Sequence, residues 1–182
     1  MDIRKHIPKE LDQWKVQIQG LQEKFGQAIE EVQMPVVTPT DVPIVFVKKA
    51  KIIDILSFLK SERGFEYSFL SDLTATDESP ESLRFHVVYN LYAIDHGMRI
   101  RLKVRLAEGE EVDTATVVWP AANWLEREVW DMFGVKFTGH PDLRRILMDG
   151  RWEGFPLRKD YPLRGYQIFP TPEVPNPALL ED

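Results

Sequence analysis

From Arg99 to Leu106 the chain alternates without a fault. Ile100, Leu102, Val104 and Leu106 share one face of an extended segment, and Arg99, Arg101, Lys103 and Arg105 share the other. A period of two fits a strand with one face on a core and one in water, the hallmark of an antiparallel sheet. Just upstream, Leu83 to Ile94 reads as a long apolar strand, and Asp95, His96 and Gly97 between the two suit a tight hairpin connection. The apolar side of that hairpin needs a cover. Ile7, Leu11, Trp14, Ile18, Leu21 and Phe25 supply one, because their spacing marks a single stripe of a helix with Pro8 tolerated in its first turn and Gly26 as a stop. A helix packed on its own domain explains this stripe more simply than a coiled-coil partner helix.

The remaining elements follow the same logic. Ala28 to Met34 is expected as a first strand, Pro35, Pro39 and Pro43 as a turn-rich link, and the β-branched and aromatic Ile44 to Val47 as a second strand. Ile52, Ile55, Leu56 and Leu59 define a helix that ends at Arg63 and Gly64. Tyr67 to Thr74 is expected as strand, Glu78 to Ser82 as a turn around Pro80, and Thr114 to Val118 as a further strand or a lead-in to a last helix. The sum is an α+β fold, a mostly antiparallel sheet with helices on one side. The expected layout is one α+β domain over residues 1–148, followed at 149–182 by an extended, proline-rich arm. Six of the thirteen prolines lie between Pro156 and Pro177, which rules out long helix or central strand there. With Trp152, Phe155, Tyr161, Tyr166, Ile168 and Phe169 the arm is also too apolar for a charged, freely disordered tail, so it either drapes over another protein or packs back on its own domain.

The stretch from Asn123 to Leu163 concentrates three of the five tryptophans among paired charges. Asn123 is placed to cap a helix and Glu126 to complete a capping box; Leu125, Val129, Met132 and Phe133 form its apolar stripe, and Gly134 supplies a left-handed stop. Arg127 and Asp131 are spaced for an ion pair along the helix, and Glu126, Glu128 and Asp131 read as solvated or capping carboxylates. Beyond the helix His140, Arg144, Arg145, Arg151, Arg158, Lys159 and Arg164 interleave with Phe137, Trp152, Phe155 and Tyr161. Arginine beside tryptophan is the composition of interface hot spots.

Signatures for chemistry are missing. Gly134 and Gly139 have the spacing of a phosphate loop, but His140 and Pro141 stand where Lys and Ser or Thr are needed. The histidines His6, His86, His96 and His140 form no HxxxH pair, and with no cysteine in the chain, thiolate-held clusters, zinc ribbons and disulfides are excluded. No catalytic, cofactor-binding or metal-binding residue is therefore assigned. An enzymatic alternative would need Glu126, Asp131 and His140 to converge on a pocket, although a proline-initiated turn at His140-Pro141-Asp142 explains those letters equally. A nucleic-acid module built on Arg99 to Arg105 is a second alternative, set against a net charge of −6. No apolar run is long enough to span a bilayer and the first ten residues lack a signal-peptide core, so a soluble protein is expected.

One string is far more specific than any of these. Glu126-Arg127-Glu128, Trp130-Asp131-Met132-Phe133-Gly134, Phe137, Gly139-His140-Pro141-Asp142-Leu143, Arg145-Ile146-Leu147 and Trp152-x-Gly154-Phe155-Pro156-Leu157-Arg158-Lys159-Asp160-Tyr161-Pro162-Leu163 together resemble the signature of the thirty-kilodalton (C) subunit of respiratory complex I, the NADH:quinone oxidoreductase. The resemblance implies a cofactor-free, non-catalytic subunit of the peripheral arm, lying on the cytoplasmic face of the inner membrane or the mitochondrial matrix side and touching the membrane only indirectly. Its implied partners are other peripheral-arm subunits, especially the quinone-site subunit and the terminal iron–sulfur subunit, with no nucleic acid. Flavin and iron–sulfur clusters would reside in those partners, and NADH and quinone would be substrates of the assembly. Related subunits occur in membrane-bound hydrogenases and in F420H2- or ferredoxin-accepting complexes. Under this resemblance Glu126, Arg127, Asp131, His140, Arg144, Arg145, Trp152, Arg158, Lys159 and Tyr161 are expected to dock partners or to stabilise the motif.

Overall fold

The computed structural model describes residues 8–35, 37–38 and 40–165. In chain order its elements are α1 (Pro8–Phe25), β1 (Ile29–Gln33), β2 (Ile44–Val47), α2 (Ile52–Ser61), β3 (Phe69–Asp77), β4 (Phe85–Ala93), β5 (Met98–Leu106), β6 (Glu111–Asp113), α3 (Ala122–Phe133) and β7 (Lys136–Thr138). The main sheet runs β1-β2-β5-β4-β3; only the β2–β5 pair is parallel. The α+β architecture with a mostly antiparallel sheet is thus what the periodicities predict. The hairpin register pairs Phe85 with Leu106 and Ala93 with Met98, so every inward residue of β5 meets an inward residue of β4.

The core lies between the apolar sheet face and the helices. Ile100, Leu102, Val104 and Leu106 of β5, Val87, Tyr89 and Leu91 of β4, and Val45 and Val47 of β2 are buried against Trp14, Ile18 and Leu21 of α1 and Ile52, Ile55, Leu56 and Leu59 of α2. Period rather than composition decides this: each element turns its apolar stripe the same way, and burial of each such side chain contributes about 1.5–3 kcal/mol. Two polar atoms carried inside find distant partners, Trp14 Nε1 donating to the Arg99 carbonyl at 3.0 Å and the buried Tyr67 hydroxyl to Gln17 Oε1 at 2.7 Å. On the opposite face the β5 cations lie down on the sheet. Arg105 stacks 3.7 Å from the centre of the Phe46 ring and pairs with Glu30 and Glu31, while Arg101 donates to Asn90 Oδ1 at 2.7 Å. The charged row is a wetted sheet face that roofs its own aromatic.

Three local expectations change. The strand expected at Tyr67 to Thr74 sits later, at Phe69–Asp77, with Tyr67 buried before it. Thr114 to Val118 holds a single 3-10 turn at Ala115–Val117, and the strand nearby is β6, which pairs in parallel with β7 to make a small second sheet. Asn123 is not the cap of α3: the helix begins at Ala122 after Ala121, without a side-chain cap. Gly134 does close it, with φ +78°. Of the region expected as an arm, residues 149–165 are described and hold turns without helix or strand; Tyr166, Ile168 and Phe169 lie outside the described residues.

Candidate functional site

The signature residues gather around the C-terminal end of α3, which packs beside β3. The last carbonyls of a helix have no partner within it and carry partial negative charge, so the end attracts donors and cations. Asp131 defies that rule. Its carboxylate is fully buried in the last turn, where the helix dipole disfavours an anion, and it is held there by four donors. Oδ1 accepts Arg145 Nη1 at 2.6 Å, and Oδ2 accepts the backbone N–H groups of Ile146, Leu147 and Met148 at 3.1, 2.8 and 2.9 Å. Burial pushes the Asp131 carboxyl upward, but the Met148 amide, Arg145 and the other two amides outweigh it and hold the group below the usual aspartate range. The segment after His140 is wound around this one carboxylate.

The arginines then satisfy the helix end. Arg145 also donates to the Asp131 carbonyl at 3.2 Å and the Gly154 carbonyl at 3.0 Å; Arg158 Nε donates to the Phe133 carbonyl at 2.5 Å; and the Leu157 N–H reaches the Met132 carbonyl at 3.1 Å. Guanidinium groups and rings alternate in a series: Trp130, Arg145, Phe155, Arg158, Phe85 and Arg84, with guanidinium-to-ring distances of 5.5, 5.4, 4.6, 4.9 and 5.0 Å. Arg84 closes the series on the sheet. It forks onto both oxygens of Asp77 at 2.9 and 2.7 Å and onto Asp160 at 2.7 and 3.0 Å, and Glu108 bridges Arg84 and Arg158 at 2.8 and 2.6 Å. The Lys159 N–H adds a bond to Asp77 at 2.8 Å. The Arg84 guanidinium, Asp77's largest hydrogen-bonding partner, holds the Asp77 carboxyl well below its ordinary value. Gly134 lets the segment approach the helix end, because a Cβ there would fall 2.5 Å from Phe155 Cε2 and 2.7 Å from Arg158 Nη2.

The expected residues thus part company. Asp131, Arg145, Arg158 and the Lys159 backbone come together in this clasp. Arg127 does not pair with Asp131. It donates to the Arg144 and Arg145 carbonyls at 3.1 and 3.4 Å, approaches Asp142 at 3.9 Å and stacks on Trp124. Arg144 is exposed and paired with Asp142 at 2.9 Å, and Trp152 and Tyr161 stack on each other with ring centres 6.3 Å apart. Glu126 completes no capping box: it is fully buried, accepting Thr114 Oγ1 at 2.5 Å and the Ala115 N–H at 2.6 Å, and burial raises its carboxyl to about 7. His140 Nδ1 accepts the Asp142 N–H at 3.0 Å and its Nε2 faces the Asn123 carbonyl at 3.1 Å, so the local-turn explanation of His140-Pro141-Asp142 holds. His140 and Glu126 are neighbours at 3.9 Å but neither side chain has any exposure, and Asp131 is engaged elsewhere. That removes the acid–base reading. Periodicity had no means of finding Arg84, Asp77, Glu108 or Asp160, whose bonds span 7 to 82 residues of chain. Among the described residues no group of three or more His, Asp or Glu is placed to hold a metal ion.

The fold and clasp define a class: a small α+β domain that locks an irregular, arginine-rich segment onto the end of one helix. Residues 45–167 match the family described as respiratory-chain NADH dehydrogenase, 30 Kd subunit. The chain belongs to that family. It is 45% identical over 147 residues to the second C subunit of the NADH-quinone oxidoreductase of Rhizobium etli, covering 81% of this chain and 76% of that protein. It is 47% identical over 146 residues to the C subunit of the NADH-quinone oxidoreductase of Geotalea uraniireducens, covering 80% and 85%. The mitochondrial NADH-ubiquinone oxidoreductase 30.4 kDa subunit of Neurospora crassa is 48% identical over 122 residues, which are 67% of this chain and 43% of that protein. A solved chain from the membrane-bound sulfane sulfur reductase, an archaeal respiratory membrane complex, superposes with a TM-score of 0.67 at 26% identity over 82% of this chain and 86% of that one. The relatives are therefore subunits of multi-subunit respiratory complexes. No helix among the described residues is long and apolar enough to cross a membrane.

Proposed function

We propose that this chain is a non-catalytic structural subunit of the peripheral arm of an NADH:quinone oxidoreductase. It supports electron transfer from NADH to quinone by docking on the quinone-site subunit and the terminal iron–sulfur subunit, with the flavin and iron–sulfur clusters held in partner subunits. The observation that carries this reading is the clasp, in which the charged side chains of the family signature act on their own backbone and leave apolar ones outside. Arg127, Arg145 and Arg158 have side chains 9%, 13% and 18% exposed, whereas Trp124, Leu147 and Leu157 are 64%, 61% and 55% exposed along the same helix and segment. Exposed Trp and Leu beside a rigid polar frame suit a docking surface, with the arginines as its support and the apolar side chains as its anchors.

The test is co-purification from native membranes of a tagged chain carrying Trp124→Ala and Leu147→Ala. Both side chains are exposed, so the isolated domain should lose no more than about 1 kcal/mol of stability. Association should weaken by at least about 2 kcal/mol, and the quinone-site and iron–sulfur subunits should vanish from the eluate. Full recovery of both partners would end the proposal for this surface. The likeness to the sulfane sulfur reductase chain favours, as a second reading, the equivalent subunit of a related respiratory complex; the same eluate decides, since only the first reading predicts a flavin-bearing NADH-oxidising subunit in it.

A further inference from the structure

Glu126 is a signature carboxylate that the clasp does not use. It sits under α3 with zero exposure, and its Oε2 is 2.5 Å from Thr114 Oγ1, which is 2.9 Å from Thr116 Oγ1 on a half-buried residue of the 3-10 turn. Two hydroxyls, each able to donate and accept, thus run from the buried carboxyl toward the surface. The ionisable groups facing Glu126 from the elements packed around it are Tyr89 on β4, which also feels Asp113 at the end of β6, and His140 after β7. Among the described residues no lysine or arginine pairs with it. A carboxylate left charged here has two hydrogen bonds and no cation, a costly state away from water.

His140 is where that charge would be felt. Its Nδ1 accepts from the Asp142 amide, so the ring hydrogen sits on Nε2, which faces two acceptors: the Asn123 carbonyl at 3.1 Å and Glu126 Oε2 at 3.9 Å. With Glu126 protonated the carbonyl is the better acceptor. With Glu126 ionised, a charge-assisted bond to the carboxylate is about twice as strong as one to a neutral carbonyl. We propose that Glu126 is a proton-exchanging site, reached through Thr114 and Thr116, whose proton decides whether His140 Nε2–H holds the Asn123 carbonyl or turns to the carboxylate. Asn123 directly precedes Trp124, so the proton on Glu126 sets the geometry at the start of α3 and of the loop that carries Asp142.

The sign of the pH dependence follows from burial. A Glu126 carboxyl raised to about 7 in the folded chain, and lower when unfolded, takes up a proton on folding. Its contribution to stability is complete below the unfolded value and is lost as pH rises through about 7. His86, whose burial lowers its own value, works in the opposite sense, but equally in wild type and in a Glu126→Gln variant, so it cancels in their difference.

The experiment follows the His140 ring by NMR of the full chain, with His140→Gln to assign the signal, across pH 5 to 9 in wild type, Glu126→Gln and Thr114→Val. In wild type the His140 ring signals should share a step with the Glu126 side-chain carboxyl carbon, with a midpoint near 7; in Glu126→Gln that shared component should vanish from the ring signals, and in Thr114→Val the midpoint of the carboxyl carbon should move up because a bond to the charged form is gone. The folding constant of wild type relative to Glu126→Gln should fall by up to about tenfold per pH unit as pH rises through the window below the midpoint. A Glu126 carboxyl carbon with no step between pH 5 and 9, or His140 signals identical in wild type and Glu126→Gln, overturns the proposal. Should that variant not fold, an unmoved midpoint in Thr114→Val does the same.

Discussion

Replacing Asp131 with alanine is expected to cost about 3–5 kcal/mol, the range found when one partner of a buried pair is removed. In a domain whose total stability is about 5–15 kcal/mol, that is a third or more. The size follows from the count of orphans. Arg145 loses its carboxylate, and the amides of Ile146, Leu147 and Met148, all aimed at Oδ2, lose their acceptor together. The guanidinium is near enough to the surface to find water, but three amides folded around a vanished oxygen are satisfied only if the loop opens. Asp131→Asn is the sharper probe, since it keeps the volume and offers a single acceptor oxygen to four donors. Urea unfolding should show the loss, and hydrogen exchange should show residues 144–158 opening before the sheet. The pH dependence carries a sign too. The Asp131 carboxyl lies below its ordinary range in the folded chain, so its stabilisation is present above the unfolded value and fades as pH falls through the folded one. The gap between wild type and variant should narrow in acid. An Asp131→Ala protein within about 1 kcal/mol of wild type, with the three amides still protected, would mean that the segment is held by something other than this carboxylate.

The elements that could be read from the chain are those whose cause is local. The stripe of Trp14, Ile18 and Leu21 and the alternation of Ile100 to Leu106 repeat with the period of a helix and of a strand, and burial follows period. The site obeys different causes. Asp131 looked like a solvated acid because helices carry many, and only the position of a loop 15 to 17 residues later shows that it faces inward. Glu126 fits a capping box on spacing alone, yet α3 starts one residue before Asn123, so Glu126 falls beyond the capping position and accepts from Thr114 and the Ala115 N–H instead. Arg127 fails to reach Asp131 because each has a better partner in the loop. The resemblance located the stretch but not its orientation, since a shared string of residues does not say which side chains point in. The parallel pairing of β2 with β5 was hidden for the same reason: strands so far apart in the chain leave no periodic trace of their pairing.

Gly134→Ala tests whether the segment truly packs on the helix end, and two separate costs should add. The first is backbone: at φ +78° an L side chain pays about 1–2 kcal/mol for the left-handed conformation. The second is space, because the new methyl would stand 2.5 and 2.7 Å from two carbons of the Phe155 ring and 2.7 Å from Arg158 Nη2. The guanidinium could swing away only by giving up its contacts to Phe133 and Glu108, and the ring is wedged between Arg145 and Arg158. Overpacking of this kind costs about 1–3 kcal/mol, which brings the expected total to about 3 kcal/mol. Gly97→Ala provides the control within the same molecule. Its φ is +67° and nothing lies within 4 Å of an added Cβ, so it incurs the backbone cost alone. Thermal or urea unfolding of the two variants should therefore differ by the clash. The excess should be accompanied by faster exchange of the Leu157 and Arg158 amides, which bond to the Met132 and Phe155 carbonyls. Equal losses for Gly134→Ala and Gly97→Ala would show that Phe155 and Arg158 do not rest against the end of α3, and the clasp would lose its central contact.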